Sequence, residues 1–120
     1  MNNFKIFKNK KILITGHTGF KGSWLTLCLK LCGAKILGIS NKFKSKPAHF
    51  NVCSDLKEIK SVNLDIKNFN KFNKVVNKFK PDFIFHLAAQ AIVKNSLKNP
   101  LETWFSNTIG TLNLLEILRK

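Results

Sequence analysis

The residues best suited to chemistry form one stretch, Thr15-Gly16-His17-Thr18-Gly19-Phe20-Lys21-Gly22. It follows the apolar run Ile12-Leu13-Ile14 and precedes Ser23-Trp24-Leu25-Thr26-Leu27-Cys28-Leu29. Glycines three apart between a strand and a helix let the backbone turn sharply, approach a diphosphate, and aim the first helical N–H groups at that anion. Glycine also marks ordinary turns, so the strand before and the helix after are what give the spacing meaning. His17 either satisfies the turn or offers a donor to the anion, and Lys21 is either a phosphate contact or a solvated side chain. Three further positions stand out. Asp65 follows a strand and could cap a helix, a role for which Asn68 is better placed. Asn107 falls in an apolar stripe, where a polar side chain needs a partner. His86 reads as a strand histidine rather than a base.

These residues need a scaffold, and strands and helices alternate along the chain to supply one. Residues 1–10 form a short lead-in. Lys11 to Thr15 has the continuous apolar centre of an interior parallel strand covered on both faces. Trp24, Leu27, Cys28 and Leu31 then recur at helical spacing, and Gly33 stands where a C-terminal glycine belongs. Ala34 to Ile39 is a second strand, which completes a strand-helix-strand unit. Asn41 to Lys57, with Pro47 and separated Phe43, Phe50 and Val52, reads as a long connection. Ile59 to Leu64 is a third strand ending at Asp65. From Phe69, the positions Phe72, Val75, Val76 and Phe79 predict an amphipathic helix stopped by Pro81. Asp82 to Ala89 is a fourth buried strand running into small residues that leave room for a ligand. Asn99-Pro100 starts a long helix whose stripe is Leu101, Trp104, Phe105, Thr108, Ile109, Leu112 and Leu115. The predicted fold is α/β, a Rossmann-type doubly wound parallel sheet with right-handed crossovers. Four strands are visible where a complete dinucleotide fold has about six, so residues 1–120 read as the N-terminal part of such a domain.

A chain of 120 residues, 44% hydrophobic, can bury one core, which excludes a disordered tail. No apolar run is long enough to span a bilayer, and Met1-Asn2-Asn3-Phe4-Lys5 lacks the apolar segment of a secretory signal, so the expectation is a cytoplasmic protein without a membrane partner. Cys28, Cys32 and Cys53 are read as reduced core thiols rather than a metal site. The net charge of +15 could serve a polyanion, but the lysines are scattered and Arg119 is the sole arginine; a nucleic-acid site concentrates Arg, Lys and exposed aromatics on one surface. No nucleic-acid partner is expected, and a noncatalytic nucleotide or polyanion binder stands as the alternative.

Four stretches together resemble the extended short-chain dehydrogenase/reductase superfamily: the Gly16, Gly19, Gly22 loop, Leu64-Asp65-Ile66, His86-Leu87-Ala88-Ala89, and Ser106-Asn107-Thr108-Ile109-Gly110-Thr111. Within it, Gly16 to Leu25, His86 to Gln90 and Asn99 to Glu116 most resemble the CDP-glucose 4,6-dehydratases; sugar epimerases and other dehydratases usually carry Ala or Gly at the position of His17 and an aliphatic residue at that of Lys21. The resemblance implies a lyase of nucleotide-sugar metabolism. Bound NAD takes hydride from C4 of the sugar, water is eliminated across C5 and C6, and hydride returns to C6. The product, CDP-4-dehydro-6-deoxyglucose, is a precursor of the deoxysugars of bacterial surface polysaccharides such as lipopolysaccharide. Another nucleotide-sugar dehydratase or epimerase is the alternative.

The resemblance also implies roles for particular residues. Gly16, His17, Thr18, Gly19, Phe20, Lys21 and Gly22 hold the NAD diphosphate, and Asp65 and Ile66 contact its adenine. Leu87, Ala88, Ala89 and Gln90 line the ribose and nicotinamide side, and Asn107 orders backbone and water there. Where NAD-selective relatives often place an acidic residue after the second strand, this chain has Ser40 and Asn41, then Lys42 and Lys44, and NADP stays open. Lys94 stands where the family tends to have Arg. The superfamily's Tyr-x-x-x-Lys pair and its Ser/Thr partner are expected beyond Lys120, since the chain has no tyrosine. No catalytic residue is therefore assigned within 1–120, the catalytic and sugar-binding parts being absent, and this segment alone is expected to be inactive. The complete protein is expected to bind CDP-glucose and to form a homodimer.

Overall fold

In the computed structural model, which describes residues 2–41 and 48–120, Ile12-Leu13-Ile14 lies at the centre of β1 (Lys11–Thr15). β1 pairs in parallel with β2 (Lys35–Ser40) on one side and with β4 (Phe83–His86) on the other. β3 (Lys60–Asn63) extends the sheet beyond β2, giving the order β3-β2-β1-β4. The chain thus leaves β1 in one direction for β2 and β3 and returns past it for β4. That reversal opens a crevice at the carboxyl ends of β1 and β4, where open parallel sheets take their ligands.

Successive side chains of β1 feed two cores, as strand geometry requires. Ile12 and Ile14 pack with Leu29 of α1 (Phe20–Leu31) and Ile36. Leu13 faces the opposite layer, with Phe72 and Val76 of α4 (Phe69–Phe79) and Leu114 and Ile117 of α7 (Gly110–Arg119). All three central residues of β1 are fully buried, as expected of an interior strand. The predicted stops are present. Gly33 takes φ +78° after α1, and Asn68 caps α4 by accepting from Lys71 N–H at 3.1 Å. Asn99 caps α6 (Pro100–Trp104) by accepting from Glu102 N–H at 3.2 Å.

Several expectations are corrected. The lead-in is a 3-10 helix over Asn2–Phe7, whose Phe7 packs edge-on to Phe83 and Phe85. The long connection holds two single-turn helices, α2 (His49–Val52) and α3 (Ser54–Lys57); Lys42, Phe43, Lys44 and Pro47 lie outside the described residues. A further helix, α5 (Val93–Lys98), precedes α6. β4 stops at His86, every residue of it is half-buried, and 87–92 are irregular. β4 is an edge strand in this sheet, so one side of it lacks cover.

The apolar stripe of α1 is not its buried face. Gly22, Ser23, Thr26 and Leu29 face the sheet, while Trp24 and Leu31 are exposed. Small residues there let the helix begin close against the strands, and the hydroxyls of Ser23 and Thr26 donate to the Phe20 and Gly22 carbonyls at 2.9 and 2.7 Å. The final helix likewise turns Gly110, Leu114 and Ile117 inward and leaves Leu101, Trp104, Phe105, Leu112 and Leu115 exposed. It is also interrupted, because Phe105–Ile109 forms a π turn between α6 and α7. Cys28 is exposed and Cys32 and Cys53 are half-buried, all three as free thiols rather than core residues. No described helix is long and apolar enough to cross a membrane, and no cluster of three metal-ligating side chains occurs among the described residues.

Candidate functional site

The glycine loop is shaped by what its glycines exclude. Gly16 has φ +73°, a left-handed conformation that an L side chain occupies only with strain. A Cβ on Gly16 would meet the Ala88 nitrogen at 2.7 Å, and one on Gly22 would meet the Gly16 carbonyl oxygen at 2.1 Å. Gly19 N–H donates to that same carbonyl at 3.0 Å. Gly19 is the N-cap of α1 without a side-chain cap, and the first turn carries no acid. The opening turn of α1, at Phe20 and Lys21, therefore presents a positive dipole end that no acid of that turn compensates. Phe20 and Lys21 side chains are exposed.

His17 and Thr18 turn away from that opening. His17 is 1% exposed. Its ring fills the space over Gly38, where a Cβ would lie 2.3 Å from Cδ2, and packs edge-on to Phe50 with ring centres 5.0 Å apart. His17 Nε2 pairs with Ser61 Oγ at 2.8 Å. Nδ1 has no partner in good bonding geometry; the Ile39 carbonyl beside it, already bonded to Gly16 N–H at 2.7 Å, offsets burial only in part. Burial therefore lowers the His17 pKa below 6.5 and keeps the ring neutral. Thr18 Oγ1 pairs with Ser40 Oγ at 2.7 Å, joining the loop to the end of β2.

Asp65 lies after β3 on an open recess of about 460 Å³, lined also by Asn41, Asn63, Leu64, Asn68, Lys71 and Glu102. Its carboxylate accepts from Asn41 Nδ2 at 3.2 Å and from Lys67 N–H at 2.9 Å. Lys67 Nζ reaches Asp65 at 3.5 Å and Glu102 at 2.6 Å, a pairing that raises the Lys67 pKa and lowers that of Glu102. Ile66 is buried, packs against Gly110, and gives its carbonyl to Asn113 Nδ2 at 2.9 Å.

On the β4 side, side-chain hydrogen bonds shape the irregular backbone. Asn107, on the π turn, accepts from Gln90 N–H at 2.7 Å and donates Nδ2 to the Gln90 carbonyl at 3.1 Å. The Gln90 side chain reaches Thr103 Oγ1 at 3.0 Å and accepts from Ile92 N–H at 2.8 Å. Thr15 Oγ1 accepts from the Leu87 and Ala88 amides at 3.1 and 3.2 Å. Ala89 lies exposed between these two anchored stretches. The structure thus joins Gly16 to Leu87 and Ala88, and Gln90 to Asn107. Asp65, at the β3 end, joins Asn41, and Ile66 meets Gly110 beside the π turn.

The sequence assigned no side-chain role to Thr15, Thr111 or Glu102 and did not show the structural place of His86. Thr15 and His86 are register partners at the ends of β1 and β4. Each is the last residue of its strand before an irregular turn, the one signal that could have singled them out.

Comparison with known proteins agrees with this arrangement. Residues 13–120 match the family model described as GDP-mannose 4,6 dehydratase. The chain is 40% identical over 116 residues to a CDP-glucose 4,6-dehydratase of Salmonella typhimurium, covering 95% of this chain and 32% of that protein. An epimerase from Methanothermobacter thermautotrophicus superposes with a TM-score of 0.86 at 34% identity, over 99% of this chain and 34% of the other. The Thermus thermophilus UDP-glucose 4-epimerase in complex with NAD superposes with a TM-score of 0.77 at 30% identity, over 91% of this chain and 33% of the other. The chain therefore spans about a third of the length of these relatives.

Proposed function

Because this chain belongs to the GDP-mannose 4,6-dehydratase family, we propose that residues 1–120 form the NAD-binding part of a cytoplasmic nucleotide-sugar dehydratase that converts CDP-glucose to CDP-4-dehydro-6-deoxyglucose and water. The observation that carries the reading is the contact at the switch point, where Gly16 closes on the Leu87–Ala88 backbone and Gly22 lies under the Gly16 carbonyl. A side chain at either glycine would fill the cradle, so the residues present fit a diphosphate. The CDP-glucose assignment is supported by the 40% identical relative and by the loop's His17 and Lys21.

In this reading the amides of Phe20 and Lys21, with the glycines of the loop, hold the diphosphate, and the Lys21 ammonium adds a mobile positive charge. His17 and Thr18 act from behind the loop, tying it to β3 and β2 through Ser61 and Ser40. Asp65, already accepting from Asn41, has lone pairs left for the adenine amine, and Ile66 supports the adenine side from within the core. Leu87, Ala88, Ala89 and Gln90 lie along the ribose and nicotinamide, with Asn107 holding Gln90. NAD, when bound, supplies a two-electron hydride store that lets the sugar lose water and end reduced at C6. The acid and base for the elimination are proposed to lie outside 1–120, in the catalytic and sugar-binding parts of a homodimeric protein.

The fold similarity to epimerases favours a second reading, nucleotide-sugar epimerisation with the same cofactor. Incubating the intact protein with NAD and CDP-glucose separates the two. Loss of water with a 4-dehydro product supports the dehydratase, and a stereoisomer of unchanged mass supports the epimerase. Saturable NAD binding with a shallow salt dependence is expected. Steeply salt-dependent binding of short DNA without NAD binding would instead mark a polyanion binder.

A further inference from the structure

His86 sits in the floor of the crevice between the ends of β1 and β4, and its two ring nitrogens meet two threonines. Nδ1 pairs with Thr15 Oγ1 at 2.7 Å and Nε2 with Thr111 Oγ1 at 3.1 Å. The direction of each bond follows from the neighbours. Thr15 Oγ1 accepts from the Ala88 amide at 3.2 Å and shares the Leu87 N–H with the Thr15 carbonyl, the two contacts being 3.1 and 3.0 Å. Thr111 spends its only hydroxyl proton on the Asn107 carbonyl, so Nε2 must be the donor of its bond, and Nδ1 of the neutral ring is left to accept the Thr15 hydroxyl proton. His86 Nε2 then carries the ring proton and donates it to Thr111. Thr111 in turn donates to the Asn107 carbonyl at 2.7 Å. Every proton in the chain has one place to go.

From this geometry we propose that His86, fixed as the neutral Nε2–H tautomer, is a positioning residue that locks the 87–90 backbone and the Asn107 turn to the end of β1. The inference rests on the proposed reading that the ribose and nicotinamide lie along 87–90. The chain runs from Thr15, next to the glycine loop, through His86 to Thr111 and the π turn. Asn107 closes it on Gln90. The two walls of the crevice are thereby held by one directional relay, although β1 and the π turn are distant in sequence. A protonated ring breaks the relay, because Nδ1–H and the Thr15 hydroxyl would then both be donors facing each other. The two ring partners, Thr15 of β1 and Thr111 of α7, are neutral and bring no charge to stabilise that cation. Burial alone acts on its pKa, lowering it.

The test uses the intact protein labelled with 15N-histidine and the variants T111V and T111S. Long-range nitrogen–proton spectra at neutral pH are expected to place the His86 proton on Nε2 before any cofactor is added; a proton on Nδ1 overturns the relay. T111V keeps the side-chain shape but leaves Nε2–H without an acceptor, and is expected to weaken NAD binding roughly three- to tenfold. T111S, which restores the hydroxyl, is expected to bind NAD as the parent does. Equal NAD affinity in T111V and the parent rejects the positioning role. If the parent itself does not bind NAD, the cofactor reading fails, and the relay is judged on the position of the ring proton, which needs no ligand.

Discussion

The two walls of the crevice are built by different means. On the β1 side the loop from Gly16 to Gly22 is set by sterics, because glycines without Cβ atoms let backbone touch backbone, and its side-chain bonds, from His17 to Ser61 and Thr18 to Ser40, tie it to β3 and β2. On the β4 side residues 87–92 have no regular structure; the Leu87 amide still reaches the Thr15 carbonyl of β1, and beyond it the side chains of Thr15, Gln90 and Asn107 bond the Ala88, Gln90 and Ile92 backbone. At Gly16 and Gly22 the first wall tolerates no added atom. The second tolerates a lost bond at moderate cost. Backbone packing is all-or-none at contact distance, whereas one hydrogen bond among several contributes about 1 kcal/mol net.

Gly22→Val should break the first wall outright. Its Cβ would sit 2.1 Å from the Gly16 carbonyl oxygen, and neither backbone can yield without moving β1 or α1, so a loss of about 3 kcal/mol is expected in urea unfolding. An unchanged midpoint would mean that the loop is looser than its geometry. Gly38→Ala tests the same principle one layer down, where the added methyl meets the His17 ring at 2.3 Å. A loss of about 2 kcal/mol is expected, and H17A should recover part of it, because the pair shares one volume. Additive losses in the double variant would argue against that shared volume.

pH probes both walls together, through His17 behind the first and His86 in the floor of the second. Burial lowers both pKa values below the ordinary 6.5, so the unfolded chain binds more protons than the folded one as the solution is acidified. The stability that these histidines contribute is complete above pH 6.5 and is lost as pH falls through their folded-state values. Unfolding midpoints at neutral and mildly acidic pH should show that decline, and it should shrink when either histidine is replaced by glutamine.

Asn107→Ala should loosen the second wall without unfolding the chain, costing about 1 kcal/mol, with faster hydrogen exchange at the Gln90 amide as the local sign. Glu102→Gln should have the smallest effect. Its ion pair with Lys67 lies at the surface, where screening leaves little net contribution, and an unfolding midpoint within error of the parent is expected. A large shift there would show that the recess beside Asp65 depends on the Lys67 bridge.

Much of the fold was legible because local rules decided it. Ile12-Leu13-Ile14 had to be an interior strand, Gly33 and Pro81 had to end helices, and Asn68 and Asn99 had to cap them. The helix faces were misread where tertiary packing overrode the pattern. Trp24 and Leu31 looked like a core stripe, yet α1 approaches the sheet through Gly22, Ser23 and Thr26 because small residues allow close contact. The exposed stripe of Leu101, Trp104, Phe105, Leu112 and Leu115 shows the same limit, since periodicity reports an apolar face without saying what covers it. The π turn was not legible either, because it serves a bond between Asn107 and Gln90 that spans two elements.

The sequence by itself determined that there is a glycine-rich loop between a strand and a helix, and, through His17, Lys21 and the stretches around His86 and Asn107, which superfamily it resembles. Those properties depend on residues close in the chain, where spacing and backbone chemistry suffice. Only the tertiary structure decided that His17 is buried behind the loop, that Asp65 bonds Asn41, and that Thr15, His86 and Thr111 meet. These depend on β1 lying between β2 and β4, and the order of strands in a sheet is set by the packing of whole layers rather than by any local run of residues.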